Sequence, residues 1–191
     1  MFYSWKNRPD SYQYENEIVT IRAPGETDFF NDPKSSLRKT DAPFFSREVT
    51  GDFTVQGRVK PDFRGIFDAG TLMFYCDDDS WVKLAFEQTD MGCRSIVSVV
   101  TREISDDANG EVVTEEGVFL KMSRRGDVVG LYYSLDGTNW RMVRVLSFAV
   151  PEGTTCFLGV SAQSPRGTGC EVSFSHLEFL PRAVEDFRKG V

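Results

Sequence analysis

The chain has 191 residues, 40% of them hydrophobic and 27% charged, with a formal net charge of -7. That length and apolar content suit one globular unit with a sizeable core. An acidic balance without a basic patch repels phosphate backbones and argues against nucleic acid as a partner. No stretch approaches the roughly 18 apolar residues of a membrane helix, and the first residues lack the apolar run of an export signal. The expectation is a cytoplasmic protein with no membrane partner.

Period-2 alternation with β-branched and aromatic enrichment predicts strands over 17–22, 44–48, 53–60, 69–76, 81–87, 94–101, 111–114, 118–123, 128–134, 140–147, 155–162 and 171–179. Turn signals separate them: Thr50-Gly51-Asp52, Asp77-Asp78-Asp79-Ser80, Asn109-Gly110, Arg125-Gly126-Asp127, Asp136-Gly137 and Pro165-Arg166-Gly167. Around a dozen short strands without helical periodicity predict an all-β fold, a two-sheet antiparallel jelly-roll sandwich. Only 181–189 reads as a short helix. With no repeat, linker or low-complexity tract, residues 1–191 read as a single domain. Segment 23–41 breaks the rhythm. A connection that long is either a functional loop or a flap over a sheet edge.

Cys76, Cys93, Cys156 and Cys170 show no CxxC spacing, and His176 is the only histidine. Structural zinc is therefore not expected, no cofactor is expected, and the thiols read as free. His176 comes without a Gly-x-Ser-x-Gly elbow, which argues against a serine hydrolase. Asp77-Asp78-Asp79 lacks the spacing of a calcium loop and reads as a solvated turn, natural for Asp and Ser. Arg125-Gly126-Asp127 reads as a hairpin turn. A glucanase needs two carboxylates facing one cleft, and no alternating acidic run supplies them.

The richest local pattern is 81–87. Alternation sets Val82, Leu84 and Phe86 on a core face and Trp81, Lys83, Ala85 and Glu87 on the other. An aromatic ring, a cation and a carboxylate on one open face suit stacking and hydrogen bonding to a polar ligand. A loop over 88–93 brings Arg94 and Ser98 opposite Glu87 and Lys83 on that face. The bland alternative is a solvated face with one cross-strand salt bridge.

Several stretches together carry a family resemblance. They are Trp81-Val-Lys-Leu-Ala-Phe-Glu87, Ser98-Val-Val-Thr101, Arg124-Arg-Gly-Asp127, Tyr133-Ser-Leu-Asp-Gly-Thr-Asn-Trp140 and Leu158-Gly-Val-Ser-Ala-Gln-Ser-Pro165, followed by Val172-Ser-Phe-Ser175. In that order the chain resembles the regulation-of-enolase protein family, with Thr27-Asp28-Phe29-Phe30 similar to its Thr-Asp-aromatic element. Ser105-Asp106-Asp107-Ala108 stands where that family has an acidic-Trp pairing. The resemblance implies a concanavalin A-like lectin/glucanase fold and adds Asp28, Phe30 and Gln163 as ligand contacts. A fold shared with lectins supports carbohydrate only by analogy. Two functions follow: a non-catalytic module binding a saccharide or small polar metabolite, or a regulatory protein acting through a protein partner. A glycoside hydrolase ranks third.

Overall fold

The computed structural model describes residues 3–191, in which no segment is helical. The strands are β1 (Ser4–Lys6), β2 (Tyr12–Glu15), β3 (Ile18–Pro24), β4 (Phe29–Asn31), β5 (Arg38–Thr40), β6 (Phe44–Val49), β7 (Phe53–Pro61) and β8 (Ala69–Asp77). They continue with β9 (Ser80–Gln88), β10 (Arg94–Arg102), β11 (Ile104–Val112), β12 (Val118–Arg125), β13 (Val128–Ser134), β14 (Arg141–Ser147), β15 (Cys156–Gln163) and β16 (Gly169–Leu180). One antiparallel sheet runs β1-β6-β15-β8-β9-β10-β11 and the second β14-β13-β12-β7-β16-β3-β2, while β4 and β5 pair with each other alone. This is the two-sheet sandwich that the alternation predicts.

Between the sheets, Leu72 and Phe74 of β8 and Val82, Leu84 and Phe86 of β9 share one buried cluster with Val59, Leu120, Met122 and Phe174 of the second sheet. Burying such side chains is worth roughly 1.5–3 kcal/mol each and drives the two layers together. They approach closely at Gly70, where a Cβ would stand 2.5 Å from methyl groups of Val59 and Val172.

The structure departs from the sequence expectation in three ways. β11 begins at Ile104 rather than near 111, because this edge strand is solvent-exposed along nearly its whole length and shows no apolar alternation. β1, β2, β4 and β5 are only three or four residues long, too short for a period to register. The expected helix over 181–189 is instead a series of turns strapped across the outer face of the second sheet. There Thr54 donates to Arg182 O (2.9 Å), Arg125 to Val184 O (2.6 Å) and Tyr132 Oη to Phe187 O (2.8 Å). Side chains of the sheet thereby take the carbonyls that a helix would satisfy internally. The four cysteines are free. Among the described residues, no helix is long and apolar enough to cross a membrane.

Candidate functional site: a hairpin-roofed cavity on the first sheet

The outer face of the first sheet carries Trp81, Lys83, Ala85 and Glu87, as a pleated strand requires. Glu87 lies between Ala69 of β8 and Ser95 of β10, Ala85 between Thr71 and Val97, and Lys83 between Met73 and Val99. Small side chains at Ala69, Ala85 and Ser95 leave the sheet surface low around Glu87. The β4–β5 hairpin, cut from the long 23–41 segment, lies over this face. Along β4, Phe29 and Asn31 are buried and Phe30 is half-buried. Phe29 inserts among Phe44, Tyr75 and Trp81 with ring centroids 6.2, 6.0 and 5.9 Å away. Asn31 Nδ2 donates to Glu103 O (2.9 Å), and its backbone N–H donates to Ser105 Oγ (2.9 Å).

The other anchor is Lys83, whose side chain is only 2% exposed. Its ammonium donates to Asp28 Oδ1 (3.2 Å), Phe29 O (2.9 Å) and Gln163 Oε1 (2.8 Å). A buried ammonium is costly unless its protons are all placed. Here all three are, so Lys83 clamps the hairpin to the β15 end. Gln163 in turn donates Nε2 to Phe67 O (3.2 Å), which fixes its amide orientation. Phe67 holds a left-handed backbone with φ 67°, unusual for a bulky residue. Its loop is tied by Asp68, which accepts from Arg64 N (2.8 Å), Gly65 N (2.7 Å) and Ser164 Oγ (2.6 Å).

Beneath the hairpin is a cavity of about 680 Å³ whose lining includes Phe30, Phe67, Glu87, Asp107, Gln163 and Arg166. That size lies within the roughly 300–1,000 Å³ of small-molecule sites. A second cavity, between the sheet edges beside Phe45 and Arg47, is about 160 Å³ and too small for such a ligand. Glu87 is 7% exposed, and no hydrogen bond or salt bridge among the described residues reaches its carboxyl. Burial pushes that carboxyl up to about 8; Lys83 opposes the shift, and Asp28, Asp107 and Asp90 add to it. Partial desolvation raises the carboxyl of Asp107, which stands on the exposed strand β11, with Lys83 opposing and Asp28 reinforcing. The cavity therefore presents two aromatic walls and a desolvated acid without a donor.

Of the residues singled out in the sequence, Lys83, Glu87, Asp28, Phe30 and Gln163 line this cavity. Trp81, Arg94 and Ser98 lie elsewhere. Trp81 shares the face of Lys83 and Glu87, but it is 0% exposed because Phe29 covers it. The β9–β10 register differs by one residue from the expectation: Arg94 pairs with Gln88 and Ser98 with Leu84. Such a slip turns each side chain to the other face. Ser98 consequently points into the sandwich, and Arg94 rests over the Phe63 ring at 4.9 Å. Lys83 is placed at the site, yet its protons are spent on protein acceptors. Sequence reasoning missed Phe67, Asp107 and Arg166. Phe67 and Arg166 come from loops, and Asp107 from the strand that shows no alternation. Among the acidic turn residues, Asp78 accepts from Tyr75 Oη (2.6 Å) and pairs with Lys6 (3.1 Å). His176 sits exposed at a bulge of β16 against Phe119.

Residues 5–182 match the family described as "Protein of unknown function (DUF1349)", and the chain belongs to that family. No curated protein matches it in sequence. In fold it is similar to a functionally unknown protein from Saccharomyces cerevisiae, with a TM-score of 0.87 and 26% identity over 96% of this chain and 97% of that one. It is also similar to the GH43 protein BlXynB, in mutant form, from Bacillus licheniformis, with a TM-score of 0.75 and 14% identity; the match covers 95% of this chain but 37% of the other. The carbohydrate binding module CBM66 from Bacillus subtilis aligns with a TM-score of 0.56 and 14% identity over 92% and 94% of the two chains. At such identities the last two establish the shared sandwich fold.

Proposed function

We propose that the protein is a non-catalytic binding module that takes a saccharide or similarly small polar metabolite in the cavity under the β4–β5 hairpin. The observation that carries this reading is Glu87, a buried carboxyl with no donor, facing a cavity of about 680 Å³ walled by Phe30 and Phe67. A hydroxylated ligand supplies the missing donors, while the rings cover its apolar faces. The fold shared with a carbohydrate binding module supports the reading by analogy. Asp28, Lys83 and Gln163 are proposed as residues that hold the roof and wall in place. Phe30, Phe67 and Glu87 are proposed as the ligand contacts. The test is a thermal-shift and calorimetric screen of monosaccharides and sugar phosphates against wild type, Phe30→Ala and Glu87→Ala. A ligand that stabilises wild type and neither variant supports the site; one that stabilises all three equally places binding elsewhere.

A second reading, action through a protein partner of the kind the regulation-of-enolase resemblance implies, is favoured by an aromatic edge. Tyr14 is 63% exposed on the outermost strand β2, on the same face as Tyr12. Exposed aromatics of this type favour protein contacts.

A further inference from the structure

Inside the cavity, carboxylates outnumber cations. Asp28 is matched by Lys83 at 3.2 Å, and the remaining two protons of that ammonium go to Phe29 O and Gln163 Oε1. Glu87 and Asp107 are left without a basic partner; the strand neighbour Asp106, not Asp107, takes Arg144 at 3.0 Å. Asp107 stands opposite Val99, which itself stands opposite Lys83, so the carboxyl belongs to the same outer face. Lys39 at the rim is engaged by Glu26 O (2.6 Å) and Asp41 (2.9 Å), and the Arg166 guanidinium lies 6.0 Å from the Phe67 ring centroid. None of the lysines or the arginine of the lining (Lys34, Lys39, Lys83 and Arg166) pairs with Glu87, which is more than nine-tenths buried and aimed into the cavity.

A neutral hydroxylated ligand would supply Glu87 with donors but leave this imbalance in place. A ligand carrying one ammonium reduces it. It charge-pairs with Glu87, which gives up its proton on binding, offsets part of the Asp107 charge, and sits between two aromatic faces of the sort that attract cations. We propose that the cavity selects small polar molecules bearing a protonated primary amine, amino sugars being the saccharide form of that class. This rests on the binding reading given above and specifies its ligand.

The test compares glucosamine with glucose and N-acetylglucosamine, which retain the ring and lack the charge, and with putrescine, which has the charge and lacks the ring. Titration calorimetry at pH 7 is run on wild type, Glu87→Gln and Asp107→Asn, with circular dichroism to check that each variant is folded. The expected result is glucosamine binding at least about tenfold tighter than glucose, with that preference abolished in Glu87→Gln and weakened in Asp107→Asn. Glucose or N-acetylglucosamine binding as tightly as glucosamine overturns the amine preference and leaves the saccharide reading intact. Putrescine binding while all three sugars fail supports the amine preference and overturns the saccharide reading. No binding by any of the four overturns both.

Discussion

Each sheet of the sandwich buries one lysine on its outer face, and the two are held in opposite ways. Lys83, under the β4–β5 hairpin, has an acceptor for every proton: a carboxylate, a backbone carbonyl and a glutamine. Lys121 lies under the C-terminal strap at 6% exposure and has one, Gly190 O at 2.9 Å, with its ammonium 3.8 Å from the centre of the Trp140 ring. Burial pulls the Lys121 ammonium down to about 8, with Glu178 opposing. A fully coordinated ammonium works as a clamp, whereas a poorly coordinated one becomes a titratable point. The number of acceptors separates the two more than the depth of burial does.

The largest expected effect bears on the clamp. Lys83→Ala leaves Asp28 and Gln163 unpaired under the roof and should cost about 3–5 kcal/mol in urea unfolding. Trp81→Ala should cost a similar amount, since Trp81 is core beneath the hairpin. Lys121→Ala should stay within about 2 kcal/mol, because a single neutral acceptor is lost. A Lys83→Ala cost below that of Lys121→Ala would break the contrast.

Next comes Glu87. Its carboxyl binds a proton more tightly folded than unfolded, so the folded protein loses stability as pH rises from about 4.5 to about 8. Glu87→Gln removes that loss. Thermal unfolding should find the variant matching wild type near pH 4 and more stable by about 1–3 kcal/mol above pH 8.

Lys121 shows the opposite slope. Its folded form releases its proton from about 8 upward, while the unfolded chain retains it to about 10.5, so wild type gains stability across that interval. Lys121→Met should flatten this rise relative to wild type, and an unchanged slope would show that the amine is solvated after all. The smallest effect is expected at the hairpin tip. Leu37→Ser, at a residue 51% exposed, should change stability by no more than about 0.5 kcal/mol.

Much of this architecture is legible in the chain, and its gaps follow from distance in sequence. Val82, Leu84 and Phe86 announce the core face of β9 because alternation is a local property. The same alternation places Lys83 and Glu87 together on the outer face. What it leaves open is what covers that face. Phe29 reaches Trp81 from more than fifty residues away, and no period reports such a contact. The Arg94 and Ser98 placement failed on one residue of loop length between β9 and β10. Asp107 sits on an edge strand that is polar on both sides, so neither face was marked.

The β4–β5 hairpin joins neither large sheet through a strand ladder. It is fastened by Phe29 and the Lys83 clamp at its base and by Asn31 farther along β4, while Asp32 to Leu37 at its tip face the cavity mouth and solvent. Within the hairpin, the anchors Phe29 and Asn31 are thus distinct from the tip residues at the cavity mouth. The tip can therefore change, in sequence or in length, without renegotiating the core, which makes this hairpin the part of the sandwich freest to vary.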